Sequence, residues 1–236
     1  MQKSMIKLIS LADLISLTNA IFGFLAILIL FSDLIPNEEL KIRVSFSLIL
    51  LALLADGLDG VIARKTRISE IGEYLESISD MTSLIIAPAI FIYFVYHDFL
   101  LSSIYNHIYL LIALVLFLLL GAVRLSSFHK MKNKKFFLGL PASASTIILI
   151  ILSYFENNFF LILLAIFLIS IAMITNIKFP KPSLKVNATA AALIILTIIL
   201  GKEFYGFAPI FLIIAIVIYS LGGPIYRKIF TKNTIK

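Results

Sequence analysis

Long apolar runs broken by short polar clusters dominate this chain. A helix that crosses a bilayer needs about 20 mostly apolar residues, and the pattern predicts eight such helices: Leu14–Phe31, Ile42–Ala63, Ser77–Tyr96, Ile104–Leu125, Phe137–Tyr154, Phe159–Asn176, Val186–Leu200 and Phe207–Tyr226. The seventh run is short, and Gly139 and Pro141 fall near the start of the fifth. The first run is too long for a signal-peptide core and reads as a retained helix. Met1–Leu11 alternates Lys with Ile, Leu and Met, which suits a segment lying at the membrane interface. No linker, internal repeat or low-complexity tract interrupts the pattern. The expectation is an all-α integral membrane protein whose residues 1–236 form a single domain.

The basic residues give an independent reading of the topology. With a cytoplasmic N-terminus and eight alternating helices, the cytoplasmic side carries 17 of the 20 Lys and Arg residues, and the other side only Lys41, Arg43 and Lys202. Cytoplasmic loops are enriched in Lys and Arg, so both termini are expected in the cytoplasm. Seven or nine spans would break the asymmetry.

Composition narrows the function classes. The chain is 61% hydrophobic and 14% charged, with a mean hydropathy of +1.08. A soluble domain is about half apolar and about a quarter charged, so a water-soluble enzyme is excluded. There is no Cys, which removes disulfides, thiolate metal sites and cysteine nucleophiles. Any interfacial aromatic belt must be built from Tyr and Phe, since Trp is absent. The net charge of +7 points to anionic lipid headgroups. The basic residues form no continuous stripe, so nucleic acid is not an expected partner.

Six of the 13 acidic residues fall between Asp56 and Asp80. Asp56 and Asp59 end an apolar run, where ionisable groups are costly and functional by default. Their i, i+3 spacing puts them on one helix face, and Glu76 and Asp80 share a face at i, i+4. A short loop joins the two helices, which therefore run antiparallel and bring both pairs to the cytoplasmic end. Four gathered carboxylates need cations. Oxygen ligands without nearby His or Cys favour Mg²⁺, Mn²⁺ or Ca²⁺ over zinc. Two such ions could clamp a pyrophosphate. Gly57, Gly60 and Ala63 leave one flank open to a bulky ligand, although for Gly57 alone helix packing is the ordinary role. Arg64 supplies a positive fork suited to phosphate. Glu70 and Glu73 are expected to be solvated.

These residues resemble a known motif. DGLDGVIAR over residues 56–64, followed by GEYLESISD over residues 72–80, is similar to the DxxDGxxAR, eight residues, GxxxDxxxD pattern of the CDP-alcohol phosphotransferases. Two departures are visible: only seven residues, Lys65–Ile71, separate the halves, and Glu76 stands where the family has Asp. Further stretches resemble the serine phosphatidyltransferase branch, the phosphatidylserine and archaetidylserine synthases. They are ESISDMTSLIIAPA from Glu76, GAVRLSSF from Gly121, FLGLP from Phe137 and NIKFP from Asn176, with Thr18-Asn19 through Gly23 fitting the first helix.

The resemblance implies transfer of a phosphatidyl or archaetidyl group from CDP-diacylglycerol or CDP-archaeol to L-serine with release of CMP. It implies a multi-pass enzyme of the cytoplasmic membrane, homodimeric, with its active site facing the cytoplasm and two divalent ions, Mg²⁺ or Mn²⁺. Asp56 would bridge the ions, Asp59 would hold one, and Glu76 would take the place of the family's third Asp. Asp80 would touch the second ion and serve as general base. Gly60, Ala63, Arg64, Ser69 and Gly72 match CDP-lipid-binding positions. Asn19 is a candidate for contacting the substrate headgroup, with a helix-packing hydrogen bond as the alternative.

Arg124, at the cytoplasmic end of the fourth run, either snorkels to headgroups or recognises the serine carboxylate or a lipid phosphate. Lys130, Lys132, Lys134 and Lys135 read as a headgroup-facing patch. His97, His107 and His129 show no ligand spacing. Two other functions fit part of the pattern. The same chemistry could act on glycerol 3-phosphate or an inositol phosphate, whose phosphate calls for additional converging basic residues. Divalent-cation transport would need carboxylates along a path through the bilayer, whereas these four gather at one end.

Overall fold

The computed structural model describes residues 8–63, 69–128, 130–131, 136–155, 158–203 and 206–232. It is mostly helical. In chain order the elements are α1 (Leu11–Phe31), α2 (Glu38–Ala63), α3 (Gly72–Asp80), a π-helical turn (Met81–Ile86), α4 (Ala87–Val95), α5 (His97–Leu101), α6 (Ile104–Phe128), β1 (Phe136–Leu138), α7 (Ala142–Phe155), α8 (Phe159–Ile174), β2 (Lys178–Pro180), α9 (Leu184–Leu200) and α10 (Phe207–Lys232). Three helical stretches among the described residues are long and apolar enough to cross a membrane: Leu11–Phe31, Gly72–Val95 and Ile104–Phe128. Shorter apolar helices cover Ala142–Phe155, Phe159–Ile174, Leu184–Leu200 and Phe207–Ser220. The chain is a membrane protein.

Backbone packing divides the chain into two compact units, Met1–His107 and Ile108–Lys236. In the first, α1 lies along α2 and against α3, the π-helical turn and α4. Its N-terminus is set by a capping box, in which Ser10 accepts from the Asp13 N–H while Asp13 accepts from the Ser10 N–H. The two faces of α1 are sorted as a bilayer requires. Leu14, Ile21, Phe24, Leu28 and Phe31 are exposed, whereas Asp13, Ser16, Asn19 and Gly23 are buried. Outward apolar residues suit lipid, and the polar groups find partners inside. Gly23 is a close-approach position: a Cβ there would fall 2.6 Å from Ser83 Cα. Phe46 against Phe91 and Phe31 against Phe94 complete the apolar packing of this unit.

Pro88 explains the π-helical turn that joins α3 to α4. Proline donates no N–H, and its ring crowds the carbonyl four residues back, at Leu84. The widened turn over Met81–Ile86 lies just upstream. Such turns are frequent at functional sites, and Asp80 stands at the start of this one.

The mostly helical structure is consistent with the all-α expectation, and the second unit adds one short two-stranded ribbon. Residues 137–141, assigned from sequence to the start of the fifth helix, form strand and turn, and α7 begins only at Ala142. β1 pairs antiparallel with β2, Phe137 opposite Phe179. Gly139 causes the break. Its φ is +71°, and a Cβ there would come within 2.0 Å of the Met173 carbonyl oxygen. The Gly139 N–H donates to Ile177 O and the Leu140 N–H to Ala172 O, tying the turn to the end of α8. The sixth predicted helix likewise ends earlier than expected, at Ile174.

Candidate active site

α2 and α3 contribute the acidic residues and α1 contributes their hydrogen-bond donors. Asp59 and Asp80 are buried, at 4% and 8% exposure, while Asp56 and Glu76 are half-buried. The carboxyl groups of Asp56 and Asp80 lie within hydrogen-bonding reach of each other, and Asp59 and Glu76 are close enough to act on both electrostatically. The four acids singled out in the sequence therefore converge. Among the described residues, the charged groups that bear on Asp56 and Asp80 are carboxylates.

Two polar side chains of α1 reach this cluster. Ser16 Oγ donates to Asp59 Oδ2 at 2.6 Å, and Asn19 Nδ2 donates to Asp80 Oδ1 at 2.9 Å. Asn19 is fully buried, and its Oδ1 has no hydrogen-bond partner. The helix-packing alternative for Asn19 thus has a concrete form, since its amide holds a site carboxylate. Ser16 was not picked out from sequence. Its signal is its place three residues before Asn19, on the same face of α1.

Among the described residues no three of these groups stand in a ready chelating geometry. The donor chemistry nonetheless fits a hard divalent cation. A charged carboxyl group within a membrane helix costs on the order of 3 kcal/mol, so crowding four together demands positive charge or shared protons. Asn19 Oδ1 adds a buried neutral oxygen without a partner.

The remaining sequence candidates divide. Gly57 has open space around its missing Cβ, with nothing within 4 Å, which corrects the expectation that it packs against a neighbouring helix. Gly72 is a packing glycine, since a Cβ would sit 3.0 Å from Asp13 Oδ1 and 3.2 Å from Ser69 Cβ. Ser69 Oγ donates to Leu8 O and accepts from the Ile71 N–H, pinning the entry to α3. Glu70 and Glu73 are exposed, as expected. Gly60 and Ala63 lie in the last turns of α2. Arg64, His129, Lys132, Lys134 and Lys135 lie outside the described residues, and Lys130 is exposed.

Arg124, in the second unit, does not snorkel. It is 7% exposed, donates from Nε to Leu140 O at 3.4 Å, and lies over the Phe128 ring at 5.3 Å. It lines a pocket with Ser127, Phe128, Met131, Phe136, Phe137 and Leu138. Tyr219, whose hydroxyl donates to Pro180 O at 2.9 Å, lies nearby. β1, over Phe136–Leu138, therefore forms one wall of the arginine's pocket. His107 pairs with the Tyr93 hydroxyl at 2.6 Å, away from the acids.

Several known proteins are similar to this chain. Residues 9–177 match the family described as CDP-alcohol phosphatidyltransferase. The chain is 34% identical over 220 residues to a CDP-diacylglycerol–serine O-phosphatidyltransferase of Methanocaldococcus jannaschii, covering 93% of this chain and 94% of that protein. It is 35% identical over 186 residues to an archaetidylserine synthase of Methanothermobacter thermautotrophicus, covering 76% and 73%. A CDP-diacylglycerol–serine O-phosphatidyltransferase of Helicobacter pylori is 27% identical over 146 residues, 57% of this chain and 59% of that one.

Proposed function

Because the chain belongs to the CDP-alcohol phosphatidyltransferase family, we propose that it transfers the phosphatidyl or archaetidyl group of a CDP-activated lipid to the hydroxyl of L-serine, releasing CMP. The family transfers a phosphatidyl group to an alcohol and generally uses divalent metal ions. The observation that carries the reading is the convergence of Asp56, Asp59, Glu76 and Asp80 at the junction of α2 and α3. Serine as the acceptor is supported by the two relatives that cover most of the chain, both of which carry serine-transferring names.

In the proposed mechanism Asp56, Asp59, Glu76 and Asp80 hold two divalent ions, Mg²⁺ or Mn²⁺. Bound there, the ions supply Lewis-acid polarisation of the diphosphate and charge neutralisation on the departing nucleotide. The serine hydroxyl oxygen attacks the lipid-side phosphorus, and the phosphorus–oxygen bond to CMP breaks. A hydroxyl is a weak nucleophile, so a carboxylate must take its proton during attack. Asp80 is the proposed base. Arg64, which follows α2 in sequence, matches a CDP-lipid-binding position of the family and supplies a positive fork suited to phosphate. Gly57 has open space around its missing Cβ, and Gly60 and Ala63 match CDP-lipid-binding positions of the family. Arg124 offers its guanidinium to the serine carboxylate or the lipid phosphate.

The proposed setting is a homodimer in the cytoplasmic membrane, with eight spans, both termini in the cytoplasm and the acids at the cytoplasmic face. Chains 1–236 would each act as one catalytic domain. Acyl or isoprenoid tails then stay in lipid while the polar groups react at the surface. Purified protein supplied with CDP-diacylglycerol or CDP-archaeol should release CMP with L-serine. Equal or greater release with glycerol 3-phosphate or an inositol phosphate would reassign the acceptor.

A further inference from the structure

Resting on the divalent-ion reading above, we propose that Ser16 is a positioning residue of the site: its hydroxyl orients the Asp59 carboxylate toward the cation, from a helix that carries none of the acidic motif. A serine or threonine inside a helix ordinarily returns its hydroxyl to the carbonyl four residues back. This chain follows that habit at Thr18, Ser47, Ser77, Thr82, Ser83, Ser153, Ser170 and Thr197, with oxygen–oxygen distances of 2.6–3.1 Å. Ser16 departs from it. Its distance to Ala12 O is 3.4 Å, whereas Asp59 Oδ2 is at 2.6 Å. The hydroxyl has one proton to give, and the shorter contact is in the range of a charge-assisted bond.

The departure is local to the acidic cluster. Asn19, the next turn along the same face, holds Asp80 in the same manner, so α1 grips one acid from each of the two helices. Groups that hydrogen-bond a ligating carboxylate fix its rotation, and their loss typically costs metal affinity. Ser45 provides an internal contrast. It also joins α2 to α1, donating to Ala26 O at 2.9 Å, but touches none of the acids. A purely structural role for Ser16 would make Ser16→Ala behave like Ser45→Ala.

The test is Mn²⁺ binding to the purified full chain without lipid substrate, followed by electron paramagnetic resonance, beside thermal unfolding of each variant. Ser16→Ala should weaken Mn²⁺ binding by about 10-fold or more, Ser45→Ala by less than about twofold, and Ser16→Thr should restore the affinity. Ser16→Cys, close in volume but a weak donor, gives the same comparison if the alanine variant does not fold. Wild-type affinity in Ser16→Ala and Ser16→Cys, or equal losses in the Ser16 and Ser45 variants, would overturn the assignment. A wild-type chain that binds no Mn²⁺ would overturn the divalent-ion reading, and this inference with it.

Discussion

Asn19 Nδ2 donates a 2.9 Å hydrogen bond to Asp80 Oδ1, and the other end of the same buried amide has no partner. α1 therefore holds one of the four gathered carboxylates and is not merely a membrane anchor. If Asp80 is the base, its donor must remain a donor. Asn19→Asp replaces the amide with a further carboxylate among four, and turnover should fall by about 10–100-fold, with Asn19→Ala nearer the lower figure. Steady-state CMP release checks this, and unchanged rates in Asn19→Asp would detach α1 from the chemistry.

Glu76 stands where this chain leaves the family pattern, after a loop of seven residues in place of eight. It is half-buried and acts electrostatically on both Asp56 and Asp80. If the extra methylene offsets the shorter loop, Glu76→Asp weakens divalent-ion affinity by about 10–100-fold although it restores the family residue. Glu76→Gln should be impaired more strongly, because a neutral amide is a poor ligand for a hard ion. Titrating Mg²⁺ or Mn²⁺ against CMP release for the three proteins separates the cases. A Glu76→Gln enzyme with an unaltered metal requirement removes Glu76 from the site.

Arg124 is buried against Phe128 with one donor spent on Leu140 O. The rest of its fork is suited to an anion in a way that lysine is not. Arg124→Lys should raise KM for L-serine by about 10-fold, while Lys130→Ala, an exposed charge, should leave it unchanged. An effect on the CDP-lipid KM alone would assign Arg124 to the lipid phosphate instead.

The acidic site was legible because its chemistry is carried by spacing. Pairs at i, i+3 and i, i+4 share a helix face whatever surrounds them, and a short loop forces the helices antiparallel. Ser16 was less legible, because small hydroxyl residues are common in membrane helices and most return their proton to their own backbone. What distinguishes Ser16 is a partner 43 residues away, which only packing reveals. The β1–β2 ribbon was missed for another reason. Three-residue strands carry no period, and the apolar run from Phe137 reads as helix until Gly139, at φ +71°, breaks it.

The proposed eight-span topology rests on the distribution of Lys and Arg, 17 against 3. Reporter tags at the two ends should both be protected from external reagents in intact cells and exposed after permeabilisation. Opposite locations would break the even count and take the acidic cluster's orientation with it.

The most direct measurement of the central claim is divalent-dependent CMP release from a CDP-lipid in the presence of L-serine, compared among wild type, Asp56→Asn and Asp59→Asn. The account predicts release by the wild type that stops on chelation and returns with Mg²⁺ or Mn²⁺. Both variants should insert and unfold like the wild type, release no CMP and bind no divalent ion. Near wild-type release from either variant, or release that survives chelation, would contradict it.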